Sequence, residues 1–102
     1  MVWMRACDAS GLDDGEAMVL DRSPEPPIAV FNVEGDFYAV DDTCTHDKYS
    51  LADGYIDGDV VECPLHMAKF NIRTGKVLSL PATIDLGGYA VKVDDGVVFV
   101  DC

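Results

Sequence analysis

The sequence predicts an all-β fold of antiparallel sheets in one domain, residues 1–102. Short segments rich in Val, Ile, Phe and Tyr alternate with Gly and Asp-Gly turns, as strands joined by hairpins do. No long stretch repeats its apolar residues at the helical period. A chain of 102 residues has room for a single core, and 49% hydrophobic with 25% charged residues is typical of a globular domain.

Four hairpins are predicted in chain order. Their paired segments are 28–33 with 36–40, 54–56 with 60–62, 69–72 with 76–80, and 89–93 with 97–101. The first hairpin turns at Glu34-Gly35 and the last around Asp94-Asp95-Gly96, where Gly can take the positive φ that tight turns need. The proline-rich stretch 24–27 predicts an extended connection.

The tryptophan and the four phenylalanines are predicted to lie in the core. They are Trp3, Phe31, Phe37, Phe70 and Phe99. Only the two inner cysteines have a histidine nearby. Every candidate metal ligand therefore lies between about residues 41 and 80, and the flanking strands contain none. The pattern therefore predicts a base of strands that carries a small inserted ligand-bearing subdomain.

The charge balance is strongly acidic. Seven Lys and Arg residues against 19 Asp and Glu residues give a net charge of -12, which would repel nucleic acids and anionic membrane surfaces. Much of this charge falls in the ligand-bearing segment, on Asp42, Asp47, Asp53, Asp57, Asp59 and Glu62. Two interpretations stay open for these residues: a solvated loop surface, or a face that docks onto a basic partner.

The first residues show no basic region followed by an apolar run, and no stretch approaches the roughly 20 apolar residues of a membrane span. We therefore expect a cytoplasmic protein. In a reducing compartment, four cysteines indicate metal binding before they indicate disulfides. Cys7 and Cys102 lie near the two ends without a neighbouring histidine, and we expect both to be free thiols.

The inner cysteines form the most informative pattern. Cys44-Thr45-His46 is a C-x-H motif and Cys63-Pro64-Leu65-His66 a C-x-x-H motif, and they contain the only two histidines of the chain. Thiolate with imidazole suits zinc or an iron–sulfur cluster. Zinc sites with two Cys and two His usually pair like with like along the sequence. In a Rieske 2Fe-2S centre, each loop gives a Cys to one iron and a His to the other, and these two loops meet that need.

These motifs resemble the Rieske motif pair, and the resemblance extends from Val2-Trp3 to Val100-Asp101. The sequence is most similar to the soluble Rieske-type ferredoxins of bacterial multicomponent aromatic-ring dioxygenases. The features that carry this similarity are Asp42-Thr43-Cys44-Thr45-His46, Leu51-Ala52-Asp53-Gly54, Asp57-Gly58-Asp59-Val60-Val61-Glu62-Cys63-Pro64 and Arg73-Thr74-Gly75-Lys76.

The resemblance implies a Rieske-like fold of antiparallel sheets and one 2Fe-2S cluster per chain. It implies that the ligands are Cys44, His46, Cys63 and His66. With those positions filled, the metal keeps no open site for substrate chemistry, so the protein is expected to be an electron carrier and not an enzyme. The implied partners of the monomer are a flavin-dependent reductase and a terminal aromatic-ring-hydroxylating oxygenase.

Departures from the respiratory and photosynthetic branch support this placement. That branch has a further cysteine in each loop, where this chain has Tyr49 and Leu65. It also has Ser and Tyr hydroxyls that bond to sulfur, at positions that resemble Ala68 and Phe70 here. Without those hydroxyls we expect a potential at the low end of the Rieske range of roughly −150 to +300 mV.

Two alternatives stay open at this point. One is the small Rieske-like subunit of an assimilatory nitrite reductase. The other is a structural zinc module that serves only protein contacts.

Overall fold

The computed structural model describes residues 2–45, 49–64, 68–80 and 82–102. These residues contain ten strands in three antiparallel sheets. The strands are β1 (Trp3–Asp8), β2 (Ala17–Arg22), β3 (Glu25–Val33), β4 (Asp36–Asp41), β5 (Tyr55–Asp57), β6 (Val60–Glu62), β7 (Lys69–Asn71), β8 (Gly88–Tyr89), β9 (Val91–Asp94) and β10 (Val97–Asp101). Short 3-10 turns cover Ala9–Gly11 and Leu51–Asp53. The predicted all-β class is confirmed.

The strand order is β1-β10-β9 in the first sheet, β2-β3-β4-β8 in the second and β5-β6-β7 in the third. The strands of the third sheet lie close to the candidate ligands in the sequence. β5 and β6 fall between the two motifs, and β7 follows the second motif. β6 ends immediately before Cys63, and β4 ends three residues before Cys44.

Strand β3 lies at the centre of the packing because both of its faces are buried. Ala29, Phe31 and Val33 pack into one hydrophobic cluster, together with Cys44 and Cys63. Ile28 and Val30 pack into a second cluster with Val98 and Val100 of β10. Alternate residues of a strand point to opposite faces, so the continuous apolar run of β3 is what a two-sided core requires. The second sheet therefore separates the first sheet from the ligand-bearing part.

Three of the predicted hairpins are confirmed in their strand pairing. In the last one, however, the first strand begins at Val91, because Tyr89 belongs to β8 of the second sheet, and the turn is one residue shorter than predicted. In the β3–β4 turn, Glu34 and Gly35 both have positive φ, 54° and 90°. Asp95 and Gly96 do the same between β9 and β10, at 52° and 75°. Two-residue turns of this kind match the right-handed twist of the strands they join. The hairpin of β5 and β6 has a two-residue turn, one residue shorter than predicted.

The fourth predicted hairpin is wrong in its second strand. Residues 76–80 form only an isolated bridge, between Val77 and Phe70. Side-chain oxygens accept hydrogen bonds near the turn, since Lys76 N donates to Thr74 Oγ1 at 3.2 Å. At the far end, Lys69 N donates to Ser79 Oγ at 3.1 Å instead of to the backbone of a facing strand. The ladder therefore stops on both sides of a single pair.

Two further expectations are corrected. Pro26 and Pro27 belong to β3 and not to a connection. They lie beyond the first pair that β3 makes with β4, Ile28 with Asp41, and opposite a register shift in β2, so their missing N–H groups cost no ladder bond. Trp3 is 41% exposed. It lies on the edge strand β1, where its ring stacks under Lys92 with Nζ 4.5 Å from the ring centroid.

No helix among the described residues is long and apolar enough to cross a membrane.

Candidate metal centre

The two candidate cysteine ligands lie in one buried cluster. Cys44 is 3% exposed and Cys63 1% exposed, and both pack with Leu51, Ala68 and Phe70. All four cysteines of the chain lie in the described residues, and none of them is in a disulfide. The third sheet and the loop after β4 thus bring together two thiols that are 19 positions apart in the sequence.

Each ligand loop is closed in the same way. The Cys44 amide donates to the Tyr49 carbonyl at 3.0 Å, and the Cys63 amide donates to the Ala68 carbonyl at 2.8 Å. Both bonds therefore span five residues, and both enclose a histidine, His46 in the first loop and His66 in the second. The two histidines lie outside the described residues.

The second ligand loop is the tip of a hairpin. Glu62 of β6 pairs with Lys69 of β7, and Cys63, Pro64 and Ala68 lie in the connection between them. Cys63 therefore follows directly after β6, and Val61 of that strand is fully buried. The hairpin of β5 and β6 lies between the two motifs, and it brings the second cysteine into the cluster that contains the first.

The first ligand loop is tied at its neck by Asp42. Leu51 N donates to the Asp42 carbonyl at 2.7 Å. Ser50 Oγ and Ala52 N donate to Asp42 Oδ1 at 2.8 and 3.0 Å. A bridge between Thr43 and Ser50 extends the closure toward Cys44. Asp42 is 4% exposed, so the interpretations of it as solvated surface or docking face are wrong.

A third segment lies against the first loop. Thr45 Oγ1 donates to the Ile84 carbonyl at 2.6 Å. The side chain of Ile84 is 64% exposed, and those of Leu78 and Leu80 are 50% and 75% exposed. Exposed apolar side chains therefore lie next to the loops that carry the candidate ligands. Sequence reasoning missed this segment because its only local signal is a set of scattered Leu and Ile residues.

The other acidic residues of the ligand-bearing part differ from Asp42. Asp53 and Asp57 are exposed. Asp59 Oδ2 is 3.5 Å from Arg73 Nε, and the two side chains are 44% and 38% exposed. Glu62 is half-buried. Asp47 lies outside the described residues. These side chains leave an acidic surface beside the buried thiols.

A network that the sequence did not signal joins the end of β4 to β8. Tyr89 Oη donates to Asp41 Oδ1 at 2.6 Å, and Gly87 N donates to Asp41 Oδ2 at 2.9 Å. Arg22 donates to Tyr89 Oη at 3.1 Å. Burial, together with the hydrogen bond to Asp41 and the charge of Asp41, raises the pKa of Tyr89. The network anchors the chain immediately before the first ligand loop.

The remaining cysteines lie elsewhere. Cys7 and Cys102 pack on the second hydrophobic cluster, between the first and second sheets. Burial raises the pKa of the Cys7 thiol, the charge of Arg5 opposes this rise and the charge of Asp8 adds to it, so the thiol stays protonated at neutral pH. Because thiolates and not thiols bind metals, Cys7 is poorly suited to be a ligand.

The residues around Cys44 and Cys63 fit an iron–sulfur cluster. Two buried thiols on separate loops supply the thiolate half of a mixed ligand set, and the apolar side chains of Leu51 and Phe70 exclude water from it. A family model described as the Rieske [2Fe-2S] domain matches residues 2–90. The chain is a member of the Rieske [2Fe-2S] domain family.

Individual relatives are similar over nearly their whole length. The 3-phenylpropionate/cinnamic acid dioxygenase ferredoxin subunit of Escherichia coli (strain K12) is 48% identical over 97 residues, which cover 94% of this chain and 90% of that protein. Ferredoxin CarAc of Metapseudomonas resinovorans is 43% identical over 99 residues, 97% of this chain and 92% of that one. The solved complex of reduced oxygenase and oxidized ferredoxin in carbazole 1,9a-dioxygenase contains a chain with a TM-score of 0.94 at 44% identity, covering 96% of this chain and 91% of that chain.

These findings confirm the predicted resemblance. The Rieske ferredoxin is an electron carrier and not an enzyme, and its cofactor is a Rieske-type 2Fe-2S cluster. A nitrite reductase small subunit of Mycobacterium tuberculosis shares the fold with a TM-score of 0.85 at 22% identity. That similarity shows the fold alone.

Proposed function

We propose that this Rieske ferredoxin carries single electrons from a flavin-dependent reductase to a terminal aromatic-ring-hydroxylating oxygenase. The observation that carries the proposal is the placement of Cys44 and Cys63 in one buried cluster, on two loops that each contain a histidine. The relatives support the pathway, because their names describe ferredoxin subunits of dioxygenases and one solved complex joins a ferredoxin to an oxygenase.

In this proposal Cys44 and Cys63 bind one iron, and His46 and His66 bind the other. When bound, the cluster supplies a one-electron redox couple. The chain positions the two thiols through the hydrogen bonds that the Cys44 and Cys63 amides donate, which close the two loops. The apolar cluster around Phe70 keeps water from the thiols. With four protein ligands bound, the cluster would keep no open position for a substrate, as expected of a carrier.

The ligands belong to a cluster-binding subdomain of about residues 41–80 within a single Rieske domain, residues 1–102. The third sheet supports this division, because among the described residues β5, β6 and β7 pair with no strand of the other two sheets. We also propose a cytoplasmic location, since four cysteines without a disulfide suit a reducing compartment. The protein is a monomer in this proposal, which size-exclusion chromatography tests.

The partners contact the surface around the ligand loops. Exposed apolar side chains at Leu78, Leu80 and Ile84 supply a part of it that can exclude water. Exposed carboxylates at Asp53 and Asp57 supply negative charge that steers a basic surface of the oxygenase. An apolar centre with a charged rim is typical of transient protein contacts.

Electron paramagnetic resonance of the purified protein after dithionite reduction tests the proposal. We expect a 2Fe-2S signal with the low average g value of mixed His and Cys ligation, from two iron atoms and two sulfides per chain. A colourless protein with one zinc per chain would instead identify the structural zinc module. Tight co-purification with a large sirohaem subunit would identify the nitrite reductase component.

Variants test the ligand set. Cys44→Ala, His46→Ala, Cys63→Ala and His66→Ala should each abolish the signal. Cys7→Ala and Cys102→Ala are matched controls, because they remove thiols from the other hydrophobic cluster, and they should keep it. A full signal in any of the four ligand variants would refute the assignment of that residue.

A further inference from the structure

Asp42 has the only buried carboxylate among the residues that the structure describes. Ionised carboxylates are costly to bury, so a carboxylate that is 4% exposed needs hydrogen-bond donors. Asp42 Oδ1 has two, the Ser50 hydroxyl at 2.8 Å and the Ala52 amide at 3.0 Å. An ionised carboxylate can only accept hydrogen bonds, and Asp42 Oδ1 accepts both of these.

The backbone of Asp42 is held as firmly as its side chain. Its amide donates to the Pro27 carbonyl at 3.1 Å, and its carbonyl accepts from Leu51 N at 2.7 Å. Three consecutive residues after the first ligand loop, 50 to 52, therefore donate to the one residue before it. This arrangement clamps the neck of the loop, two positions from Cys44.

We propose that Asp42 is a positioning residue for the cluster. Its carboxylate holds the neck of the first ligand loop closed and places a buried negative charge near the Cys44 ligand. The inference rests on the proposed ligand set, because the charge would act on the cluster that Cys44 would help to hold. Reduction adds an electron to the cluster, and a nearby negative charge disfavours that addition, so Asp42 lowers the midpoint potential.

Burial distinguishes Asp42 from the other acidic residues that the structure describes. Charges in a low-dielectric interior interact more strongly than charges in water, and salt screens them less. Asp53 lies in the turn that follows the same loop, but its side chain is exposed. Asp42 and Asp53 thus form a matched pair of carboxylates, one buried and one in solvent.

The test is the midpoint potential of Asp42→Asn, measured on protein whose iron and sulfide content equals that of the wild type. Asn keeps an acceptor oxygen for Ser50 and Ala52 but removes the charge. We expect the ratio of reduced to oxidised protein at a fixed poise to rise about tenfold, which is a shift of about 59 mV for a one-electron couple. The control Asp53→Asn removes the same charge from the exposed site and should shift the ratio less than about twofold.

Ser50→Ala tests the clamp even if Asp42→Asn does not fold. It removes one donor and keeps the carboxylate, so the potential should not rise, while the cluster should be lost to an iron chelator at least threefold faster. A rise in the potential of Ser50→Ala, or an unchanged rate of cluster loss, overturns the proposal. So does a cluster-replete Asp42→Asn with the wild-type potential, or an equal shift in Asp53→Asn. A wild type without a 2Fe-2S signal refutes the proposed function instead, so the two failures are distinguishable.

Discussion

At the scale of single residues, positions 68 and 70 present no hydroxyl to the candidate cluster. Ala68 and Phe70 are both fully buried, and both pack in the hydrophobic cluster that contains Cys44 and Cys63. The Ala68 carbonyl also closes the second ligand loop. A hydroxyl introduced at position 68 would therefore lie in a dry environment beside the Cys63 loop.

We expect Ala68→Ser to raise the midpoint potential. A hydrogen bond to a charged group contributes about 1.5–3 kcal/mol, and a one-electron couple moves about 59 mV per ~1.4 kcal/mol. The rise is therefore at most about 60–130 mV, to be measured by redox titration. Ala29→Ser places a hydroxyl in the same hydrophobic cluster, on β3, and should leave the potential unchanged. An unchanged potential in Ala68→Ser would show that missing hydroxyls do not tune this protein.

The Tyr89 hydroxyl makes stability depend on alkaline pH. Burial and Asp41 raise the pKa of Tyr89 above its ordinary value of 10.0. The folded protein then holds a proton that the unfolded chain releases, so this stabilisation is complete below pH 10.0 and is lost as pH rises through the raised pKa.

Thermal unfolding from about pH 8 to about pH 12 checks this dependence, because stability lost by linkage lowers the Tm. Tyr89→Phe should lower the Tm at neutral pH and flatten its decline above pH 10.0. The control Tyr55→Phe removes the hydroxyl of an exposed tyrosine and should keep the wild-type slope. An equally steep decline in Tyr89→Phe would mean that another group titrates.

At the scale of elements, the close approach of two backbones ties the ligand loops together. Gly54 ends the 3-10 turn Leu51–Asp53 and donates to the Leu51 carbonyl at 2.9 Å. A Cβ at position 54 would lie 2.3 Å from the Glu62 carbonyl oxygen, immediately before Cys63. Only a glycine allows the segment after the first loop to lie this close to the strand that leads into the second.

Gly54→Ala should therefore destabilise the protein. Overpacking a tight site costs about 1–3 kcal/mol, and the strand β6 would have to shift at Glu62. Denaturant unfolding measures the loss of unfolding free energy, and the rate of cluster loss to a chelator should increase with it. Gly88→Ala is the control, because a Cβ there meets no heavy atom within 4 Å. Equal stability of the two variants would contradict the close approach.

At the scale of the whole molecule, the net charge of -12 is the dominant long-range feature. Exposed carboxylates lie on the ligand-bearing part, at Asp53 and Asp57, and also on the β9–β10 hairpin, at Asp94 and Asp95. If the ligand-bearing side docks, only the first pair should matter for association with a partner. The two pairs therefore separate local steering from the effect of total charge.

We expect electron transfer to the oxygenase to slow with salt. Between about 0.05 and about 0.5 M ionic strength the second-order rate should fall at least about threefold, since screening weakens steered association. Asp53→Asn with Asp57→Asn should reduce the rate at low salt, whereas Asp94→Asn with Asp95→Asn should not. Stopped-flow kinetics measures both, and a rate insensitive to salt would refute docking by charge.

The fold class and the candidate ligands could be predicted from the sequence. Hairpins are local, so the turns at Glu34-Gly35 and Asp95-Gly96 could be predicted from neighbouring residues. The spacing of Cys44 and Cys63 with their histidines is also local, and it was enough to predict the family. The second strand of the fourth hairpin could not be predicted, because side chains of Thr74 and Ser79 decide where that ladder stops.

Which polar residues are buried could not be predicted from the sequence, because it follows from the packing of the sheets. Asp42 belongs to a run of acids that resemble one another in the sequence, yet its carboxylate alone among those described is enclosed. Asp41, Tyr89 and Arg22 meet although Arg22 and Tyr89 are 67 positions apart. Burial and long-range pairing depend on how the sheets pack on each other, and no local sequence pattern specifies which distant residues meet. The chemistry of the ligands is thus readable from the chain, while the environment that tunes them is a property of the fold.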